Sequence, residues 1–97
     1  MKTVKIDSKT ISSWDTFHDV FSNTFKFPSY YGRNMDAWID CMDELNYEMI
    51  LIDLGDCRDL KERNPEIVKA IHECSAFVNY RKIEAGESAV ITISMFV

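Results

Sequence analysis

Met49-Ile50-Leu51-Ile52-Asp53-Leu54 is a short, nearly continuous apolar run, the pattern of a strand buried on both faces inside a parallel sheet. We assign it as the central strand, and the sequence on either side supplies its neighbours. Ser88-Ala89-Val90-Ile91-Thr92-Ile93-Ser94-Met95 is β-branched and largely apolar, which predicts a strand at the C-terminal end. Thr3-Val4-Lys5-Ile6 alternates polar and apolar residues, which predicts a short strand at the N-terminal end.

Helical segments separate these strands. Ser12 and Ser13 precede Trp14, Phe17, Val20, Phe21 and Phe25, apolar at helical spacing with Asp15 in the first turn. This predicts an N-capped amphipathic helix ending near Phe25. Pro28 bars its continuation and biases Phe27 to an extended backbone, and Gly32 is expected to supply a positive φ ahead of Asn34. Asn34 then caps a second helix from about Met35 to Leu45, whose apolar stripe is Met35, Trp38, Met42 and Leu45, with Ile39 at its border. The charged segment from Asp56 to Asn64 has room for one short helix. Pro65 opens a longer one, in which Ile67, Val68, Ile71, Cys74, Phe77, Val78 and Ile83 keep helical spacing to about Glu84, and Gly86 ends it. The resulting order is βααβαβ. It predicts an α/β fold, a three-stranded parallel sheet packed with three to four helices, in a single domain over residues 1–97.

At 46% hydrophobic and 12% aromatic residues, the composition is that of a folded chain rather than a disordered one. A formal net charge of -5 argues against nucleic acid and anionic membranes as partners and for a basic partner, since both excluded classes require neutralising negative charge. The three cysteines, Cys41, Cys57 and Cys74, lack paired spacing, and no signal-like or membrane-spanning run is evident. A soluble protein of the reducing cytoplasm is expected.

There is no GxGxxG, P-loop, CxxC or HExxH pattern, so no cofactor, no metal and no catalytic residue is assigned. His18 and His72 fall in separate helices beside the apolar stripes, as helix-surface or boundary residues. Cys41 and Cys74 read as small hydrophobes. Cys57, between Asp56 and Arg58, sits in a setting compatible with exposure and receives no role.

The charge is unevenly spread. Asp36, Asp40, Asp43, Glu44, Glu48, Asp53, Asp56 and Asp59 face Arg58 alone in the stretch from 36 to 59. Asp36, Asp40 and Asp43 recur at i, i+4 and i+7, on one helical stripe about 100° around from the Met35 stripe. Like charges at that spacing cost a helix a few tenths of a kcal/mol, so the fold gains nothing obvious from them. The helix dipole explains Asp36 as well as binding does, but Asp40 lies past the first turn, where binding is the better explanation. Tyr30 and Tyr31 cannot easily face the same core; Tyr31 is expected to pack inward, leaving Tyr30 as an exposed interface anchor. Trp38 is expected in the core.

The pattern Pro28-x-Tyr30-Tyr31-Gly32-x-Asn34-x-Asp36-Ala37-x-x-Asp40-Cys41 resembles the signature of the barstar family of intracellular ribonuclease inhibitors, and the predicted element order agrees with that fold. The resemblance implies an immunity protein, monomeric when free, whose loop and second helix plug the active site of a basic secreted or toxin ribonuclease with carboxylates standing where RNA phosphates would sit. It further implies Tyr30 against the nuclease's catalytic histidine, Gly32 and Asn34 at the rim, and Asp36 and Asp40 paired with its phosphate-binding cations. Asp40 would lie deepest, and Ile39, Asp43 and Glu44 would complete the partner-binding set. Barstar itself has tryptophan at the position of Ile39, glycine at Glu44 and tryptophan at Leu45, while Trp38 is this chain's own. The family's additional interface glutamate falls at Arg81 or Glu84. The altered periphery keeps a second expectation open, an acidic interaction or immunity module directed at a target other than a ribonuclease.

Overall fold

The computed structural model describes residues 1–45 and 49–97. Its elements are β1 (Lys2–Lys5), α1 (Trp14–Phe25), α2 (Met35–Glu44), β2 (Ile50–Asp56), α3 (Arg58–Arg63), α4 (Pro65–Glu84) and β3 (Ile91–Phe96), with a 3₁₀ turn at Ser8–Thr10. The expected α/β order is present, with two helices between β2 and β3. Each strand is displaced by one to three residues from its sequence-based start, and Met49 lies outside β2 and exposed.

The strands run in the order β1-β2-β3, all parallel, with β2 central. Ile50, Ile52 and Leu54 alternate with Leu51 and Asp53, and only the first set is fully buried. The register sets Leu51 beside Thr3 and Thr92, and Asp53 beside Lys5 and Ser94, all four flanking residues being exposed. The central strand is therefore buried on one face, not on both as its apolar run suggested. Strand order explains why: two crossovers of the same hand, stepping the same way across the sheet, put their helices on the same side. The other face stays open and is dressed with Thr, Ser and Lys.

Local chemistry fixes the helix ends. Ser13 and Thr16 form a reciprocal capping box at α1, Asn34 Oδ1 accepts from the Ala37 N–H at 2.8 Å, and Pro65 opens α4. At the far end of β2 the register shifts between Asp53 and Gly55, where Gly55 has φ 65° and donates its N–H to Asp53 Oδ1. That bulge redirects the chain so that the Cys57 N–H reaches the Phe96 carbonyl at 2.8 Å. Cys57 is thereby turned fully inward, against the exposure its charged neighbours suggested.

An aromatic column ties α1 to α2. Phe17 and Phe21 stand 4.7 Å apart, Phe21 meets Trp38 edge-on at 5.6 Å, and Phe25, Phe27 and Tyr31 continue the series. Trp38 and Met42 are buried as expected, whereas Phe77 and Ile83 of α4 are exposed despite their helical spacing. Trp38→Ala should lower the urea-unfolding free energy by about 3–5 kcal/mol, while Tyr30→Ala, at a side chain 82% exposed, should change it by less than about 0.5 kcal/mol. Equal losses in the two variants would contradict this packing.

Candidate functional site

The loop between α1 and α2 begins where Lys26 takes a left-handed conformation and ends α1. A turn follows, in which the Tyr31 N–H donates to the Pro28 carbonyl at 2.9 Å. The Tyr31 ring enters the core against Phe27, and its hydroxyl lies 2.6 Å from His18 Nδ1 in a buried pair. Its neighbour Tyr30 is consequently turned out into solvent, as the sequence suggested.

Burial pushes the His18 imidazole below its ordinary value of 6.5, Arg33 pushes it further the same way, and Asp15 and Asp19 partly oppose this. Burial likewise pushes the Tyr31 phenol up to about 12. The pair is neutral at physiological pH, which makes His18 a buried anchor rather than the surface or boundary residue expected.

The positive φ just ahead of Asn34 belongs to Arg33, at 54°, and not to Gly32. A side chain costs energy there, and Arg33 is compensated by its contacts. Its guanidinium donates to Asp15 Oδ1 at 2.6 Å, to the Asp15 carbonyl at 3.0 Å and to Asp19 Oδ1 at 2.9 Å, clasping the loop to α1. Nothing in the backbone demands glycine at 32, because a Cβ there would meet Ala37 and Asn34 at an ordinary 3.5 Å.

A shallow cleft of about 220 Å³ lies between loop and helix, lined by Tyr30, Tyr31, Gly32, Ala37, Asp40, Cys41 and Glu44. Four of the sequence-predicted residues thus share one surface: Tyr30, Gly32, Asp40 and Glu44. Asp36 is exposed one turn earlier on α2, on the side nearer α4, and Ile39 is half-buried against the core. Asn34 is occupied as the cap of α2 and faces a separate cleft of about 380 Å³ with Trp14, His18 and Arg33. Burial, then Glu44 and Asp40, raise the Cys41 thiol, which stays protonated.

The acidic stretch has more partners than Arg58, which sits beside Asp56 and draws that carboxyl down to about 2. From α4, Arg81 Nη1 reaches Asp40 Oδ1 at 3.1 Å, and Arg81 Nη2 lies 3.7 Å from Asp43 Oδ2. Lys82 Nζ donates to the Asp43 carbonyl at 2.7 Å and stands 3.3 Å from its carboxylate. Asp43 is therefore half-buried toward α4 rather than facing outward. Glu84 is exposed beside a cleft with Asp43 and Arg81. Glu48, counted with the acidic stretch, lies outside the described residues, among which no group of His, Cys, Asp and Glu could hold a metal ion.

Sequence reading missed the Arg33 clasp and the Arg81 pair. Asp15 and Asp19, spaced i, i+4 on α1, were a signal for the first, since two stacked carboxylates attract a cation. For the second, separated by 41 residues, the sequence offers no local signal.

Comparison with known proteins gives two findings. The family described as "Barstar (barnase inhibitor)" matches residues 1–93. A Bacillus subtilis (strain 168) protein described as "Putative ribonuclease inhibitor YrdF" is 38% identical over 42 residues, which is 43% of this chain and 46% of that protein. The match thus spans less than half the length of that relative.

The His18 pair has a pH signature. Its folded pKa lies below the unfolded value of 6.5, so its stabilising contribution is complete above that value and is lost as pH falls toward the lowered folded one. Unfolding free energy should decline from pH 7.5 to 5.5, and His18→Gln, which keeps a hydrogen-bonding group without titrating, should flatten the decline. A parent profile that is level or rises on acidification would contradict a buried neutral His18.

Proposed function

The chain belongs to the barstar family, and from that membership we propose that it inhibits a basic ribonuclease, secreted or used as a toxin, by covering the enzyme's phosphate-binding site. The observation that carries this reading is the single exposed surface shared by Tyr30, Gly32, Asp40 and Glu44. It combines an aromatic anchor, a bare stretch of backbone and two carboxylates one helical turn apart.

Each feature suits a site built to hold RNA. Carboxylates that stand in for phosphates meet the same arginines, lysines and histidine, and the net charge of -5 draws a basic enzyme inward before contact. Tyr30 stacks on the catalytic histidine, and Gly32 lets the nuclease approach the loop backbone closely. Asp36 and Asp40 take the cations, with Asp40 deepest because it lies at the middle of the outward face of α2. Ile39 and Glu44 form the margin. Asn34 contributes through the helix start that it caps, and Asp43 through the cations of α4. The inhibitor acts in the cytoplasm as a monomeric single domain and catalyses nothing. A second reading, an interaction module for a target that is not a ribonuclease, draws on the cation at Asp40, which a purely basic active site would not welcome.

Titrating the purified chain into a panel of basic ribonucleases, barnase included, should abolish RNA cleavage by at least one member at stoichiometric ratio. Asp40→Ala should weaken that inhibition by about 3–5 kcal/mol, because it strands buried cations, and added salt should slow association. Gly32→Ala should also weaken inhibition while leaving the thermal midpoint unchanged. An Asp40→Ala variant as potent as the parent would overturn phosphate mimicry, and no inhibition across the panel would favour the second reading.

A further inference from the structure

Arg81 is given no contact with the nuclease in the mechanism above, yet it sits on that mechanism's principal residue. Its guanidinium lies 3.1 Å from Asp40 Oδ1 and 6.0 Å from the centre of the Phe77 ring, and its side chain is 40% exposed. Lys82, only 14% exposed, holds Asp43 independently through its carbonyl and its carboxylate. Asp43 therefore keeps a cation if Arg81 is lost, and the charge of Arg81 bears chiefly on Asp40.

We propose that Arg81 is a specificity-determining residue, an internal counter-ion that occupies Asp40 in the free protein and stays at the margin of the interface. This rests on the ribonuclease-inhibitor reading. An exposed ion pair is held weakly, so an incoming guanidinium or ammonium can take over Asp40. Once water leaves the interface, Arg81 remains a few ångströms from that new cation, and repulsion between like charges grows as the effective dielectric falls. A nuclease surrounded by lysines and arginines at this margin is penalised. A nuclease that brings a carboxylate or carbonyl oxygen to Arg81 is accepted, because Arg81 then exchanges one acceptor for another. Arg81 is thus the repulsive element that separates related basic enzymes which an unshielded Asp40 would bind alike.

The test compares the parent, Arg81→Gln, Arg81→Glu and Asp40→Ala, with Arg63→Gln as a control for net charge, since Arg63 pairs with Asp59 on α3, away from the cleft. Association rate and inhibition constant are measured with barnase as the probe, and urea unfolding verifies that every variant is folded. Arg81→Gln should tighten inhibition about tenfold or more, Arg81→Glu further, and Arg63→Gln much less; the Arg81 gain should vanish in the Asp40→Ala background. A parent that fails to inhibit barnase while Arg81→Gln inhibits it also supports the proposal. Arg81→Gln that binds no better than the parent, or no better than Arg63→Gln, overturns it. Loss of inhibition in Asp40→Ala alongside an unchanged Arg81→Gln leaves the inhibitor reading standing and removes only the counter-ion. Failure of the parent and both Arg81 variants against barnase and the wider panel removes both.

Discussion

The buried hydrogen bond between Tyr31 and His18, 2.6 Å long, is the constraint on which the candidate site depends. A tyrosine hydroxyl taken out of water needs a partner, and with Tyr31 seated on His18 the loop turns Tyr30 outward and delivers Asn34 to the start of α2. The Arg33 clasp on Asp15 and Asp19 fixes the same loop from its outer side. Between these two attachments the loop has little freedom, so its surface is formed before any partner arrives. Preorganisation of this kind removes an ordering cost from binding.

The helix that follows is electrostatically awkward alone. Asp36, Asp40, Asp43 and Glu44 repel one another by a few tenths of a kcal/mol per pair, and Asp40 and Asp43 are answered by two cations from α4. The exposed pair of Arg81 with Asp40 is worth up to about 1 kcal/mol, enough to offset the repulsion and too little to hold the fold. Stability comes from the opposite face of α2, where Trp38 meets the aromatic column of α1 and Met42 is buried in the core. One helix thus separates its duties by face, apolar toward the core and acidic toward solvent.

Much of this was legible in the sequence, because it depends on short-range rules. The caps at Ser13 and Asn34, the breaks at Pro28 and Pro65, and the inward and outward sense of Tyr31, Tyr30 and Trp38 all follow from neighbours a few residues away. The differences lie where distant elements decide. Leu51 sits in an apolar run, but the side of the sheet it faces is set by the direction of two crossovers. Phe77 and Ile83 read as part of one helical stripe, yet at about 100° per residue both lie more than about 100° around α4 from the centre of the face that buries Ile67, Ile71, Ser75 and Val78, so they point away from the core. Cys57 turns inward because of the bulge at Gly55, and the tie from Arg81 to Asp40 joins residues that no local pattern relates. Gly32 looked like a conformational necessity. Its backbone shows that it is not one, since its φ is not positive and a Cβ there would meet only ordinary contacts.

The central claim is that loop and helix from Tyr30 to Glu44 form one recognition surface, and a backbone amide titration tests it most directly. With isotope-labelled protein and unlabelled barnase, the account predicts that the largest chemical-shift changes fall on residues 29–44 and on Arg81, with Thr3, Thr92 and Ser94 on the open sheet face unmoved. Largest changes on the open sheet face or on α3 would contradict it.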